Sequence, residues 1–165
     1  MKKDITSRQC GIAAESYAAY LLARSGYDVL VQYGANQPDY DLVAIKGERT
    51  LRISVKGSQD GSWMLAVRYV KQGVNYHAAI EKWLSSQPKD LIYVFVQFLK
   101  VGINDVPRTY VARPLEIADY MKSQCLGRGH GSLQENLHDH RHSRYNHEIP
   151  QSWKYSTDRI DNILL

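Results

Sequence analysis

The stretch at residues 39–56, DYDLVAIKGERTLRISVK, constrains the fold more than any other part of this 165-residue chain. Two runs rich in apolar and β-branched residues flank a short polar turn that contains glycine, which is the pattern of a β-hairpin. If the strands pair symmetrically about the Gly-Glu turn, Asp41 lies directly opposite Ser54. Lys56 then lies on the same face, two residues further along. The sequence therefore predicts a carboxylate and an amine side by side on one sheet.

The rest of the chain alternates between helical and extended patterns. An alanine-rich run without proline predicts the first helix, which Gly26 would end. The almost unbroken apolar run LIYVFVQF predicts a strand that is buried on both faces. In chain order we expect helices over 8–25, 74–86, 114–122 and 156–165, and strands over 27–33, 39–45, 50–56, 63–70, 91–98 and 108–112.

This order of elements predicts an α/β class, bordering on α+β, with a central mixed sheet and helices packed on it. The length suggests one domain over residues 1–165. We expect its core over about residues 8–124, followed by a polar loop at 127–148 and a C-terminal helical extension at 150–165.

Glu15 is the second acid that the pattern singles out, because its neighbours on the predicted helix are small or apolar. They include Gly11, Ile12, Ala18 and Ala19, three or four positions away. A carboxylate on an inward face is costly unless a positive group or a metal meets it. The alternative is a glutamate at the helix edge that bends out to solvent.

Glu15, Asp41 and Lys56, taken in this order, resemble the site of the PD-(D/E)XK nuclease superfamily, which has the restriction-endonuclease-like fold. The matching segments are GIAAESYAAYLLARSGYDVLVQY, PDYDLVAI and ISVKGS, and the resemblance extends over about residues 8–98. It implies an α-β-β-β-α-β core. It points to the small members of this group rather than to a named restriction enzyme.

The resemblance also implies roles for individual residues. Asp41 would be the main metal ligand, with Asp39 on the same face, and Glu15 would hold the metal or its water. The backbone carbonyl of Val55 would be a further ligand, and Lys56 would polarise the attacking water and neutralise the phosphate. Such hard oxygen ligands suit Mg²⁺ or Mn²⁺. The implied reaction is hydrolysis of a phosphodiester bond in DNA or RNA.

Ser54 departs from the superfamily pattern, which has Asp or Glu at this position. Serine offers a neutral hydroxyl and no charge, so metal binding should be weaker. Either Glu15 supplies the missing charge, or Glu81 on the later helix does. The third alternative is a degenerate site that binds nucleic acid without cleaving it.

Polar side chains around the hairpin form a candidate nucleic-acid surface, and the alternative is that they are ordinary solvated groups. These side chains are Arg52, Ser58, Gln59, Arg68 and Lys71.

Five of the six histidines lie in the polar segment 127–148, and three of them alternate as His138, His140 and His142. Alternate spacing forms a compact metal site only on a strand, and no cysteine accompanies these residues. We therefore favour a polar loop over a zinc site.

Composition and charge limit the cellular location and the kinds of binding partner that we expect. Two well-separated cysteines and an N-terminus without an apolar stretch predict a cytoplasmic protein, and no run approaches the ~18 apolar residues of a membrane span. A net charge of +4 permits a polyanionic partner. We expect nucleic acid as the partner, with DNA favoured, no membrane partner, and a homodimer as an allowed state.

The competing functions are an active nuclease, an inactive binding module and a protein-assembly module.

Overall fold

The computed structural model describes residues 5–32, 39–71, 75–135 and 148–163. Short 3-10 helices occur at Val67–Tyr69 and Gln151–Trp153. The helices and strands, in chain order, are α1 (Ser7–Arg24), β1 (Asp28–Val31), β2 (Leu42–Lys46), β3 (Arg49–Ser58), β4 (Ser62–Met64), α2 (Tyr76–Ser85), β5 (Leu91–Gln97), β6 (Arg108–Ala112), α3 (Pro114–Ser123), β7 (Ser132–Gln134) and α4 (Thr157–Asn162).

Five of the strands form a mixed sheet in the order β1-β2-β3-β5-β6. Strands β3 and β5 are parallel, with α2 in the connection between them, and the other neighbouring pairs are antiparallel. The predicted central mixed sheet with its α-β-β-β-α-β core is thus confirmed.

Local sequence signals explain where the first elements begin and turn. Thr6 caps α1 in a capping box with Gln9, which satisfies two backbone N–H groups at the helix start. Gly26 follows the helix with a φ of +85°, a left-handed conformation that costs glycine little. Gly47 in the hairpin turn has a φ of +61° for the same reason. These positions fix where α1 ends and where the hairpin reverses.

Each face of the sheet has its own apolar core, because successive side chains on a strand point to opposite faces. On the α1 face, Leu22 packs with Ile53, Val94 and Ile160, so that α4 also lies against this face. On the α2 face, the core contains Tyr93, Phe95, Trp63, Trp83, Ile117 and Met121. Strand β5 contributes to both cores and is buried along its whole length, as its apolar run predicts.

The fourth strand predicted at 63–70 exists but is much shorter than predicted. Only Ser62–Met64 is extended, and the chain then turns into the 3-10 helix at Val67–Tyr69. Both edges of β3 are already taken, by β2 and β5. The segment after β3 therefore cannot join the main sheet beside it, and β4 pairs with β7 in a separate two-stranded sheet.

The polar segment 127–148 is not all loop, because it contains β7, where Leu133 is fully buried against the α2-face core. The C-terminal extension is helical only in part: Ser156 accepts a hydrogen bond from the N–H of Arg159 and so starts α4 late. Residues 136–147 lie outside the described residues. Within the described ranges, no helix has the length and apolarity needed to cross a bilayer.

Candidate active site

Asp41 lies at the end of the hairpin, where the paired part of β2 stops. The β2–β3 ladder runs from Lys46–Arg49 to Leu42–Ile53, so the predicted register is confirmed and Asp41 follows opposite Ser54. Beyond the paired part of β2, the Asp41 carboxylate accepts the hydrogen bonds from β3 in place of a backbone carbonyl. Its Oδ2 accepts from the N–H of Val55 at 2.6 Å and from Oγ of Ser54 at 3.3 Å.

The neighbours of Asp41 orient its carboxylate. Its own N–H donates to the carbonyl of Ile53 at 2.8 Å, which continues the hairpin by one residue. With Oδ2 held by β3, the other oxygen, Oδ1, accepts no hydrogen bond from any described residue. Among the described residues, the hydrogen bonds to this half-buried carboxylate thus all go to Oδ2.

Lys56 is half-buried and is a lining residue of two clefts. The larger cleft, of about 590 Å³, also contains Asp39, Asp41 and Ser54 and is called the Asp41 cleft below. The second, of about 440 Å³, lies toward the start of α1 and includes Cys10. The predicted carboxylate and amine thus share one cleft.

Glu15 approaches this site from α1. Its pKa is raised above the ordinary value because the side chain is partly buried and because Asp41 is close, while Lys56 lowers it to a smaller extent. Glu15 therefore lies close enough to Asp41 and Lys56 to interact electrostatically with both. Within the described ranges no group of three His, Cys, Asp or Glu side chains is placed to hold a metal ion.

Gly57 sets the distance between α1 and the hairpin. A Cβ built on Gly57 would lie 2.9 Å from Cβ of Ala14, 2.9 Å from the carbonyl oxygen of Cys10 and 3.1 Å from its Sγ. Only a residue without a side chain permits this approach. The close packing explains how a helix residue such as Glu15 comes near the end of β2.

Ser54 provides a hydroxyl where the superfamily has an acid. The side chain is buried, and its hydroxyl donates to Asp41 rather than pointing into open space. Glu81 does not replace the missing acid, because it forms an ion pair with Lys122 of α3 on the outer side of α2.

Three of the predicted nucleic-acid contacts are engaged elsewhere, and none of them lines the Asp41 cleft. Arg52 forms an ion pair with Asp90. Ser58 is buried at the end of β3, where its hydroxyl donates to Asp60 at 3.0 Å. Gln59 donates its amide to the carbonyl of Ile5 at 2.7 Å. Their predicted contacts with nucleic acid stay predictions.

Arg68 does line the Asp41 cleft. Its guanidinium lies 4.9 Å from the ring centroid of Tyr69 and donates to the hydroxyl of that residue at 2.9 Å, while Lys82 approaches the same ring at 5.8 Å. Lys71 is exposed and lines neither of the two clefts.

Sequence reasoning missed Tyr93 and Gln87, which form part of the cleft wall. Tyr93 pairs with Ser54 across the parallel β3–β5 ladder, and its hydroxyl donates to Oε1 of Gln87 at 2.6 Å. Burial, opposed by Arg68, raises the pKa of Tyr93, and Asp39 and Asp41 raise it further. The apolar run of β5 hides this residue, and only the register of the two strands reveals it.

No described histidine of the polar segment 127–148 can be assigned to this site. His130 stacks on Tyr76 with 5.7 Å between ring centroids. His138, His140, His142 and His147 lie outside the described residues.

The element order and strand pairing are those expected of the restriction-endonuclease-like fold, with Asp41 directly before β2 and Lys56 on the adjacent strand β3. The structure is similar to that of a bacterial homing endonuclease, I-Ssp6803I, with a TM-score of 0.47 and 15% identity over 91% of this chain and 89% of that chain. It is also similar to Hjc, a Holliday junction resolvase from the archaeal hyperthermophile Archaeoglobus fulgidus, with a TM-score of 0.41 and 14% identity over 76% and 88% of the two chains. No protein-family model and no curated protein matches the sequence. The evidence for the fold is therefore the topology itself.

Proposed function

We propose that this protein is a metal-dependent nuclease that hydrolyses phosphodiester bonds in nucleic acid, with DNA as the favoured substrate. The observation that supports the proposal is that Asp41 and Lys56 line one open cleft, while Glu15 of α1 is close enough for both of them to affect its pKa. Two like charges close together are unfavourable unless a cation lies between them or one is protonated. A divalent ion would supply the missing positive charge.

The oxygen atoms at the site fit Mg²⁺ or Mn²⁺. Mg²⁺ sites commonly use one or two carboxylates and complete their shell with water and substrate phosphate. Oδ1 of Asp41 and the carboxylate of Glu15 would be the protein ligands. A bound ion would activate water and neutralise charge on the phosphate.

The carbonyl of Val55 is the third proposed ligand. In an extended strand the N–H and C=O of one residue point to the same edge. Since the N–H of Val55 donates to Asp41, its carbonyl also faces the edge that β2 leaves open beyond Leu42. This direction supports its assignment.

The remaining roles follow from charge and hydrogen bonding. Lys56 would donate to a phosphate oxygen and offset the negative charge that builds up in the transition state. Ser54 and the N–H of Val55 hold Oδ2 of Asp41, so that the carboxylate needs little reorganisation when substrate binds. Glu15, as a carboxylate with a raised pKa, would accept a hydrogen bond from the attacking water.

The second candidate function is a module on the same fold that binds nucleic acid without cleaving it. The observation that favours it is Ser54, whose buried neutral hydroxyl leaves the site one negative charge short of the superfamily pattern. Such a module would bind through phosphate contacts, and its affinity would fall steeply with salt.

The test is cleavage of plasmid and single-stranded DNA in the presence of Mn²⁺. We expect slow cleavage by the wild type and a loss of about 100-fold or more for both Asp41→Asn and Lys56→Ala, because each removes a group that stabilises the transition state. Asp119→Asn and Lys89→Ala are the matched controls, since both residues are exposed and line neither cleft.

The outcomes separate the two candidates. Activity that persists in both site variants would belong to a contaminant and would remove the nuclease assignment. Salt-sensitive binding without cleavage would favour the binding module. In that case Ser54→Asp should raise Mn²⁺ affinity in calorimetry, because it restores the second acid next to Asp41.

A further inference from the structure

Met64 is an exposed apolar side chain beside the candidate active site, and the proposed chemistry does not use it. It is 78% exposed and, like Lys56, it lines both clefts. The adjacent Trp63 is buried and donates its indole N–H to the carbonyl of Lys56 at 2.9 Å. Because neighbouring strand residues face opposite ways, the anchored Trp63 directs Met64 outward.

The rigidity of this position comes from the small β4–β7 sheet. Met64 pairs with Ser132, and the N–H groups of Leu65 and Ala66 both donate to the carbonyl of Gly131. Met64 is therefore presented on a fixed strand rather than on a free loop tip. An apolar side chain held in this way is suited to act as a wedge between stacked bases.

The Asp41 cleft extends past the acids toward a wall that contains Arg68, Ser86 and Gln87. Its volume of about 590 Å³ lies within the range of roughly 300–1,000 Å³ of pockets that enclose small organic molecules. Contact with the phosphates of an intact duplex requires only a surface. A pocket of this size beside the reacting groups suits a nucleotide that has left the base stack.

We propose that the substrate is a nucleic acid strand with an unpaired nucleotide, whose base enters the Asp41 cleft while Met64 inserts beside it and Arg68 contacts a flanking phosphate. The inference rests on the proposed nuclease function and adds the class of substrate. Apolar side chains inserted between base steps are a general way in which proteins unstack nucleic acid. Arg68 adds a positive charge on the cleft wall, held against Tyr69.

The energetic consequence is a preference for unpaired substrates. Extruding a base from a duplex costs a few kcal/mol, and the cost is least when the base is already unpaired. Since each 1.4 kcal/mol corresponds to a factor of ten, we expect affinity for a bulged or single-stranded probe to exceed that for the matched duplex by more than about tenfold.

The experiment measures binding of the full chain in EDTA, so that it does not depend on cleavage. The probes are a matched duplex, the same duplex with one bulged 2-aminopurine, and the corresponding single strand. We expect tighter binding of the last two by anisotropy, and a change in 2-aminopurine emission as the base enters the cleft. Met64→Ala and Arg68→Ala should weaken binding of the bulged probe about tenfold and largely remove the preference for it.

Controls separate a wedge from a general effect on folding or charge. Met64→Leu keeps an apolar side chain and should retain the preference. Ile103→Ala and Arg24→Ala remove an exposed apolar and an exposed basic side chain that line neither cleft, and should leave it unchanged. Equal affinity for duplex and bulged probes would overturn the inference, and so would equal losses for both probes in the two alanine variants. Failure of cleavage with the preference intact would instead count against the nuclease function alone.

Discussion

At the scale of single residues, the site depends on an unfavourable pair of charges. Asp41 is held by hydrogen bonds from β3, and Glu15 is close enough for the charge of Asp41 to raise its pKa more than Lys56 lowers it. The pKa of Glu15 is raised by its partial burial and by the nearby negative charge of Asp41. A protein without a cation partner would gain stability by losing the charge on Glu15.

Glu15→Gln tests this account through its pH dependence. Since the folded-state pKa of Glu15 is raised, its ionisation opposes folding above that pKa, and the effect disappears below the unfolded-state value of about 4.3. In EDTA at pH 7 the variant should therefore have a higher Tm than the wild type, and the two should converge near pH 4. With Mn²⁺ the order should reverse, because the variant lacks a ligand and should lose about 10–100-fold in metal affinity.

Thermal unfolding at pH 4 and pH 7, with EDTA and with Mn²⁺, provides the measurement. Asp119→Asn, on the exposed side of α3, is the control and should follow the wild type in every condition. An unchanged Mn²⁺ response in Glu15→Gln would show that Glu15 is not a ligand.

At the scale of elements, the contact between α1 and β3 decides whether the acids meet. Cys10 and Ala14 lie against Gly57 so closely that a methyl group there would contact both, including the backbone oxygen of Cys10. The helix cannot relieve such a contact by a side-chain rotation. It would have to move away from the sheet and take Glu15 with it.

Gly57→Ala is therefore expected to destabilise the protein by about 1–3 kcal/mol, as overpacked cores do, and to weaken Mn²⁺ binding. For a chain of this size the loss corresponds to roughly 2–4 °C in Tm per kcal/mol. Gly11→Ala is the matched control: it lies in α1 with nothing within 4 Å of the added carbon. It should raise stability by about 0.5–1 kcal/mol, because alanine favours a helix. Equal stability of Gly57→Ala and wild type would contradict the packing argument.

At the scale of the whole molecule, the helix α4 is joined to the body of the protein by a half-buried carboxylate, that of Glu116. Arg159 of α4 donates to both oxygens of Glu116 at 2.9 Å, and the N–H of Arg113 donates to Oε2 at 2.8 Å. Burial alone would raise the pKa of Glu116, but these hydrogen bonds and the two nearby arginines outweigh it and lower the pKa below the ordinary value.

The sign of this shift predicts acid sensitivity. A carboxyl group with a depressed folded-state pKa stabilises the protein above its unfolded-state value, and this stabilisation is lost as the pH falls through the folded-state value. Glu116→Gln should cost about 1–3 kcal/mol at pH 7, and the difference from wild type should shrink below pH 4. Glu81→Gln, which removes an exposed ion pair, is the control and should change stability by less than about 1 kcal/mol. A pH-independent difference for Glu116→Gln would refute the linkage.

Some elements of the fold could be predicted from the sequence, and others could not. The helix α1, the hairpin and the buried strand β5 each carry a strong local pattern, and all three were predicted. The strand predicted at 63–70 ends at Met64 because both edges of β3 are occupied, and its partner β7 lies in a polar segment with no pattern of its own. Met64 could not be identified as the exposed member of β4 without that pairing.

The sequence by itself determined that Asp41 stands opposite Ser54, because a short turn and an alternating strand leave only one register that buries the apolar face. Only the tertiary structure decided that Glu15 comes near them and that Tyr93 and Arg68 line the same cleft. Those positions depend on contacts between residues far apart in the chain, such as Cys10 with Gly57 and Ser54 with Tyr93, for which no local pattern exists.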